Sequence, residues 1–162
     1  MYVDLWQWFH ESNHPQAHTF RSLSYQGWRF MHAAQSELAH QTFMDAHEQA
    51  KKLNLPCWEL YFEYWACEVL IYNTVDRVKA LDQTVRLAAR AHQPQYKECR
   101  VLGRVYFILA DIYVAIDVYG YEDKIREALN TLEADIPMDI DTHLRVMHIR
   151  AYFDYAFDRV DE

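Results

Sequence analysis

Glycine and proline are scarce in this chain, which has three glycines and four prolines among 162 residues. Loops that cradle phosphates or dinucleotides are built from clustered glycines, and no such motif is present. Scarce turn residues also predict long elements. No clean alternation of apolar and polar residues between turn signals marks a strand. We therefore expect an all-α protein.

Long apolar runs and excess positive charge are also lacking. The longest apolar stretch, residues 105–119, is interrupted by two aspartates, so no membrane-spanning helix is expected. The formal net charge of −8 argues against nucleic acid as the ligand, because phosphate neutralisation normally supplies most of that affinity. The cysteines are odd in number and follow no signal-like start, which indicates core thiols in a cytoplasmic protein: Cys57, Cys67 and Cys99.

Apolar residues recur at helical spacing in eight segments. The clearest pattern has apolar side chains at i, i+4, i+7, i+11 and i+14, in Leu102, Tyr106, Leu109, Tyr113 and Ile116. We expect helices at about 2–12, 15–35, 38–53, 58–72, 75–91, 102–116, 122–136 and 139–157. Together these segments account for most of the chain.

Several helices carry details that the structure can test. Segment 58–72 has apolar stripes on two sides, so we expect burial on both faces. Gly27 is expected to permit a close helix approach, and Asn73 and Thr74 are expected to cap the helix at 75–91. The last helix carries an apolar stripe at helical spacing, in Ile140, Leu144, Met147, Ala151 and Tyr155.

The prolines at positions 15, 56, 94 and 137 lie 41, 38 and 43 residues apart. A period of this length is typical of arrays of helical hairpins, in which stacking of neighbouring units supplies the core. We expect one domain, 1–162, with units at about 1–37, 38–73, 74–120 and 121–162. It is either complete with its end helices as caps or part of a longer array. A globular helical bundle is the alternative.

The clearest hairpin, residues 104–137, resembles a tetratricopeptide repeat (TPR). Its first helix has the family's order of large, large, small and large residues, its second has apolar packing positions, and a proline closes it: Tyr106, Leu109, Ala110, Tyr113, Ile125, Leu129, Leu132 and Pro137. The long units look most like the repeats of bacterial signal-responsive regulators. The resemblance implies a right-handed superhelix whose concave groove binds a peptide or protein, as a scaffold or sensor without catalysis.

Positions 6, 10, 13 and 17 after each proline share one helix face, which we expect to line the groove. The candidate partner-binding residues on that face are Arg21, Tyr25, Trp28, Arg100, Arg104, Phe107, Asp111 and Arg150. Because arginine pairs with carboxylates and stacks on rings, these residues suit an acidic segment, a free carboxylate or a phosphorylated one. The alternative is that the arginines pair with acids on adjacent helices, such as Glu59 and Glu63.

Other chemistry has weaker support in the sequence. His10, His14 and His18 are four residues apart, but Asn13 and Pro15 break any helix between them, so we expect no metal site. No nucleophile motif is present, and we expect neither catalytic residues nor a cofactor. Two rival functions remain: a structural module that self-associates through aromatic helix faces, and a metal-dependent helical enzyme.

Overall fold

A computed structural model describes residues 2–73 and 76–158. These residues form eight α-helices and one 3₁₀ turn at Pro94–Tyr96, with no β-strand among them. The helices are α1 (Leu5–Glu11), α2 (Ala17–His32), α3 (Ser36–Lys52), α4 (Pro56–Asn73), α5 (Arg77–Ala91), α6 (Leu102–Asp117), α7 (Glu122–Asp135) and α8 (Ile140–Asp158). The expected all-α class with eight helices is confirmed. None of the described helices is long and apolar enough to cross a bilayer.

The start of α5 differs from the sequence expectation. Asp76 is its N-cap, and its carboxylate accepts the Lys79 backbone N–H at 2.9 Å. A carboxylate at this position satisfies an unpaired amide and complements the helix dipole. Asn73 instead belongs to α4, so the expected cap was wrong for this residue, while Thr74 lies outside the described residues.

Helix α4 lies at the centre of the fold, in contact with α2, α3, α5 and α6. Its apolar side chains from Trp58 to Ile71 are buried on both sides, except for the half-buried Trp65, which confirms the expectation of two buried faces. Helices α2, α4, α6 and α8 also contact one another in that order, with α3, α5 and α7 between them in the chain. We call the side of this series of helices that carries Arg21, Tyr25, Trp28, Arg104, Phe107 and Asp111 the even face.

Gly27 lies where α2 packs against α3. A β-carbon at this position would lie 2.4 Å from the ring of Phe43, whose side chain is fully buried. Glycine thus leaves room for the ring, as the sequence indicated.

The most regular apolar stripe of α8 faces away from the core. The stripe from Ile140 to Tyr155 is exposed; Ile140 has 68% and Met147 has 56% of its surface accessible. The core side of α8 consists instead of Val146, Ile149, Phe153 and Ala156. Because both sides of this helix are apolar, the spacing of residues did not determine which one packs inward.

The expectation of three free thiols was wrong for two of the cysteines. Cys57 at the start of α4 and Cys99 before α6 form a disulfide with an S–S distance of 2.04 Å. Only Cys67 is a free thiol, and burial raises its pKa to about 12. The two cysteines are 42 residues apart in the sequence, and the loop that they close contains most of α4 and all of α5.

Candidate functional site

Residues 2–12, which we call the N-terminal segment, lie across the even face. The segment is extended up to Asp4, whose carboxylate caps α1 by accepting the Gln7 backbone N–H at 2.7 Å. Its first residues meet the connection into α8, because the Val3 N–H donates to the Met138 carbonyl at 3.1 Å. The segment therefore spans from the start of α8 towards α2.

Two side chains of α1 anchor the segment in the core. Leu5 and Phe9, four residues apart on one helix face, are both fully buried. The Phe9 ring centroid lies 5.7 Å from that of Trp58 and 5.6 Å from that of Tyr61, both on α4. Trp8 also packs on Trp58, with centroids 4.6 Å apart. The N-terminal segment is thus held mainly by aromatic side chains.

The candidate aromatic residues of α2 hold the other side of the segment. Trp28 lies with its ring centroid 5.7 Å from both Trp6 and Phe9. Tyr25 packs edge-on against Phe9 at 6.0 Å and remains 46% exposed. Such ring pairs each add about 0.5–1.5 kcal/mol beyond the area they bury. The positions counted from Pro15 in the sequence therefore identified side chains that contact the N-terminal segment.

Two candidate arginines bind the backbone of the same segment. Arg21 donates from Nη1 to the carbonyls of Phe9, His10 and Ser12 at 3.2–3.4 Å. These carbonyls lie at the end of α1, where helices leave acceptors unpaired and a positive charge suits the dipole. Arg100 donates to the Asp4 carbonyl at 3.0 Å, at the other end of α1.

Arg104 is buried beneath the segment. It donates from Nε and Nη2 to the two carboxylate oxygens of Asp139, both at 3.0 Å, and its guanidinium lies 5.3 Å from the Trp6 ring centroid. Asp139 also accepts the Thr142 hydroxyl at 2.7 Å. Burial acts to raise the pKa of Asp139, but hydrogen bonds from Arg104 prevail and hold it below the ordinary value. This ion pair joins α6 to the start of α8.

Phe107 and Asp111 lie further along α6, in an open pocket of about 380 Å³ between α4, α6 and α8. The Tyr72 hydroxyl donates to the Asp111 carboxylate, and burial raises the pKa of Asp111. The Arg145 guanidinium lies 5.7 Å from the Phe107 ring centroid. This pocket continues the even face beyond the N-terminal segment.

Arg150 belongs to neither group. It donates to both carboxylate oxygens of Glu133 on α7, at 2.6 and 3.1 Å, and to the Asn130 side chain at 3.2 Å. The structure thus divides the eight candidates. Five contact the N-terminal segment, namely Arg21, Tyr25, Trp28, Arg100 and Arg104, while two line the adjacent pocket and one joins α8 to α7.

A second charged cluster lies between α3, α4 and α5. Glu59 and Glu63 both face Arg90, so they are not partners of the candidate arginines. Glu59 also accepts the Tyr96 hydroxyl at 2.9 Å. Nearby His47 is buried, which lowers its pKa, and its Nδ1 lies 3.2 Å from the Glu59 carbonyl. The sequence identified these two acids as possible arginine partners but not the arginine they face.

Sequence reasoning missed that the N-terminal segment would lie on the candidate face. The signal was the apolar side of a seven-residue helix, visible as Leu5, Trp6 and Phe9, but spacing within a helix does not tell where that helix docks. In residues 2–73 and 76–158, no three His, Cys, Asp or Glu side chains are grouped so that they could hold a metal ion. The chain matches no protein-family model, no curated protein and no solved structure.

Proposed function

We propose that this protein is a non-catalytic binding module whose even face holds a short helical segment of a protein partner. The observation that supports this is the N-terminal segment, bound there by side chains selected from sequence as partner-binding residues. We further propose that the hairpins form a right-handed superhelix similar to TPR arrays, with the even face as its concave side.

The contacts indicate how the even face would recognise a partner. Arg21 and Arg100 donate to backbone carbonyls, which every helical segment carries, while selectivity comes from apolar side chains buried against Trp28, Trp58 and Tyr61. Aromatic and arginine residues are the usual anchors of protein interfaces. We do not propose a cytoplasmic location. The sequence suggested one because its three cysteines were expected to be free thiols, and two of them form a disulfide.

The test uses the full chain, cleaved after folding at a protease site placed in the connection 13–16. A fluorescent synthetic peptide with the sequence of residues 2–12 should then exchange with the native segment, measured by anisotropy. Tyr25→Ala should weaken binding about threefold to tenfold, since it removes a ring pair. The matched control is Tyr152→Ala, because Tyr25 and Tyr152 are 46% and 48% exposed but only Tyr25 contacts the segment.

Two results would count against the proposal. The first is a cleaved, folded chain that never takes up the peptide. The second is equal peptide affinity of the Tyr25→Ala and Tyr152→Ala variants, which would place the contact elsewhere.

A further inference from the structure

We infer that the N-terminal segment is an intramolecular ligand, which a partner helix must displace from the even face. The partner is a short helix with an aliphatic anchor followed four residues later by an aromatic anchor. This inference rests on the proposed function and adds the partner's chemistry and the regulation of the site.

The segment has the properties of a ligand. Helix α1 has seven residues, whereas the other α-helices have 14 to 19, and a short connection joins it to α2. The hydrogen bonds of that connection are local: the His14 Nδ1 accepts the Gln16 N–H, the His14 carbonyl accepts the Ala17 N–H, and the Gln16 carbonyl accepts the Phe20 N–H. Most of the attachment therefore comes from contacts with the even face.

The connection makes the segment a strong competitor. A short tether gives a bound element an effective concentration in the millimolar range. A free helix with the same contacts can bind only to the fraction of molecules in which the tethered segment has left the even face. Its apparent dissociation constant is therefore its intrinsic dissociation constant divided by that fraction. Any change that weakens α1 without altering the even face should therefore increase the affinity for a partner.

The anchors define the partner. Leu5 and Phe9 are completely buried, so two apolar side chains at positions i and i+4 supply most of the burial. Trp6, at position i+1, lies between Trp28 and the Arg104 guanidinium and is 38% exposed, so an aromatic residue there adds a contact without filling the core. A capping residue before the first anchor, as Asp4 provides in cis, favours the helix.

The experiment weakens α1 at an exposed position of the intact chain. Gln7 is exposed in α1, and its backbone N–H bonds to Asp4 whatever side chain it carries. Gln7→Gly should lower the helical stability of α1 relative to Gln7→Ala and thereby raise the affinity for the labelled peptide of residues 2–12 about fourfold. Adding Asp4→Ala to Gln7→Gly should increase the affinity further. Circular dichroism checks that both variants remain folded.

The outcomes separate the two proposals. Equal peptide affinities of the Gln7→Gly and Gln7→Ala chains would show that the segment does not compete and would overturn this inference alone. Absence of binding to every variant and to the cleaved chain would overturn the proposed function as well. A peptide with both anchors changed to serine should not bind. If Gln7→Gly instead forms dimers by light scattering and excludes the peptide, the occupant is a second copy and the partner assignment is wrong.

Discussion

At the scale of single residues, the buried ion pair of Arg104 and Asp139 is expected to have a large effect on stability. Removing one partner of a buried ion pair leaves an uncompensated charge, which costs about 3–5 kcal/mol. We expect Arg104→Met to lower the free energy of unfolding by about this amount in urea denaturation. Arg104→Met combined with Asp139→Asn should recover part of the loss, because the amide needs no counter-ion.

This prediction also changes how Arg104 should be tested as a binding residue. It is only 5% exposed and holds α8 on α6, so a charge reversal there would disturb the fold together with the surface. A loss of less than about 1 kcal/mol in Arg104→Met would contradict the role assigned to this pair. The exposed tyrosine Tyr25 is therefore the better probe of binding.

Glu68 gives the protein a pH dependence with a defined sign. Burial raises the pKa of this carboxyl, although the Tyr64 hydroxyl donates to it and Arg145 lies 3.6 Å away. A carboxyl whose pKa is higher in the folded state contributes stability that is fully present below its unfolded value of about 4.5 and is lost as the pH rises through the folded value. We expect the unfolding free energy of wild type minus that of Glu68→Gln to be larger at pH 5 than at pH 7.5.

The Glu68 comparison isolates one carboxyl among several. Asp111 has a raised pKa and acts in the same direction, whereas the lowered pKa of Asp139 acts in the opposite one. Both carboxyls are retained in Glu68→Gln, so their contributions to the unfolding free energy largely cancel when the variant is subtracted from the wild type. A difference that stays constant from pH 5 to 7.5 would show that Glu68 ionises normally in the folded protein.

At the scale of elements, α8 offers a comparison between adjacent residues on opposite sides. Phe153 is buried against the core, while Tyr152 is 48% exposed. Phe153→Ala should lower the unfolding free energy by about 3–5 kcal/mol, because it removes a buried ring and leaves a cavity. Tyr152→Ala should change it by less than about 0.5 kcal/mol, as is usual for surface positions. The reverse order in thermal or urea unfolding would mean that Tyr152, and not Phe153, faces the core.

The same helix shows what the sequence can and cannot predict. Helical spacing located all eight helices, and the double stripe of α4 predicted burial on both faces, because these patterns depend on neighbours within one element. The packed side of α8 was not predictable, since two apolar sides fit the same spacing equally well. Choosing between them requires knowing which helices lie alongside.

In the candidate site, too, the sequence predicted some features and not others. Placing Arg21, Tyr25 and Trp28 on one face followed from helix geometry alone. Their actual contacts depend on where residues 2–12 dock, and the partner of Arg104 lies 35 residues away in the sequence. Such long-range pairings are properties of the assembled chain. Local spacing therefore predicted which of these residues share a helix face but not which segment of the chain packs against them.

At the scale of the whole molecule, the disulfide between Cys57 and Cys99 joins the start of α4 to the segment just before α6. A cross-link between segments that are far apart in the sequence stabilises a protein mainly by restricting its unfolded chain. The closed loop spans a separation of 42 residues and includes α4 and α5. The disulfide therefore restricts the conformations that the unfolded chain can adopt.

Closing a loop of this length removes conformational entropy from the unfolded chain worth about 4 kcal/mol at 25 °C. We expect a reductant to lower the free energy of unfolding of the wild-type chain by up to about this amount, measured in urea with and without dithiothreitol. The double variant Cys57→Ala, Cys99→Ala should be less stable and insensitive to reductant. Cys67→Ala, which removes the buried free thiol, should keep the wild-type response. A wild-type chain whose unfolding is unaffected by reductant would carry no such bond in solution, and packing alone would then hold the start of α4 against the segment before α6.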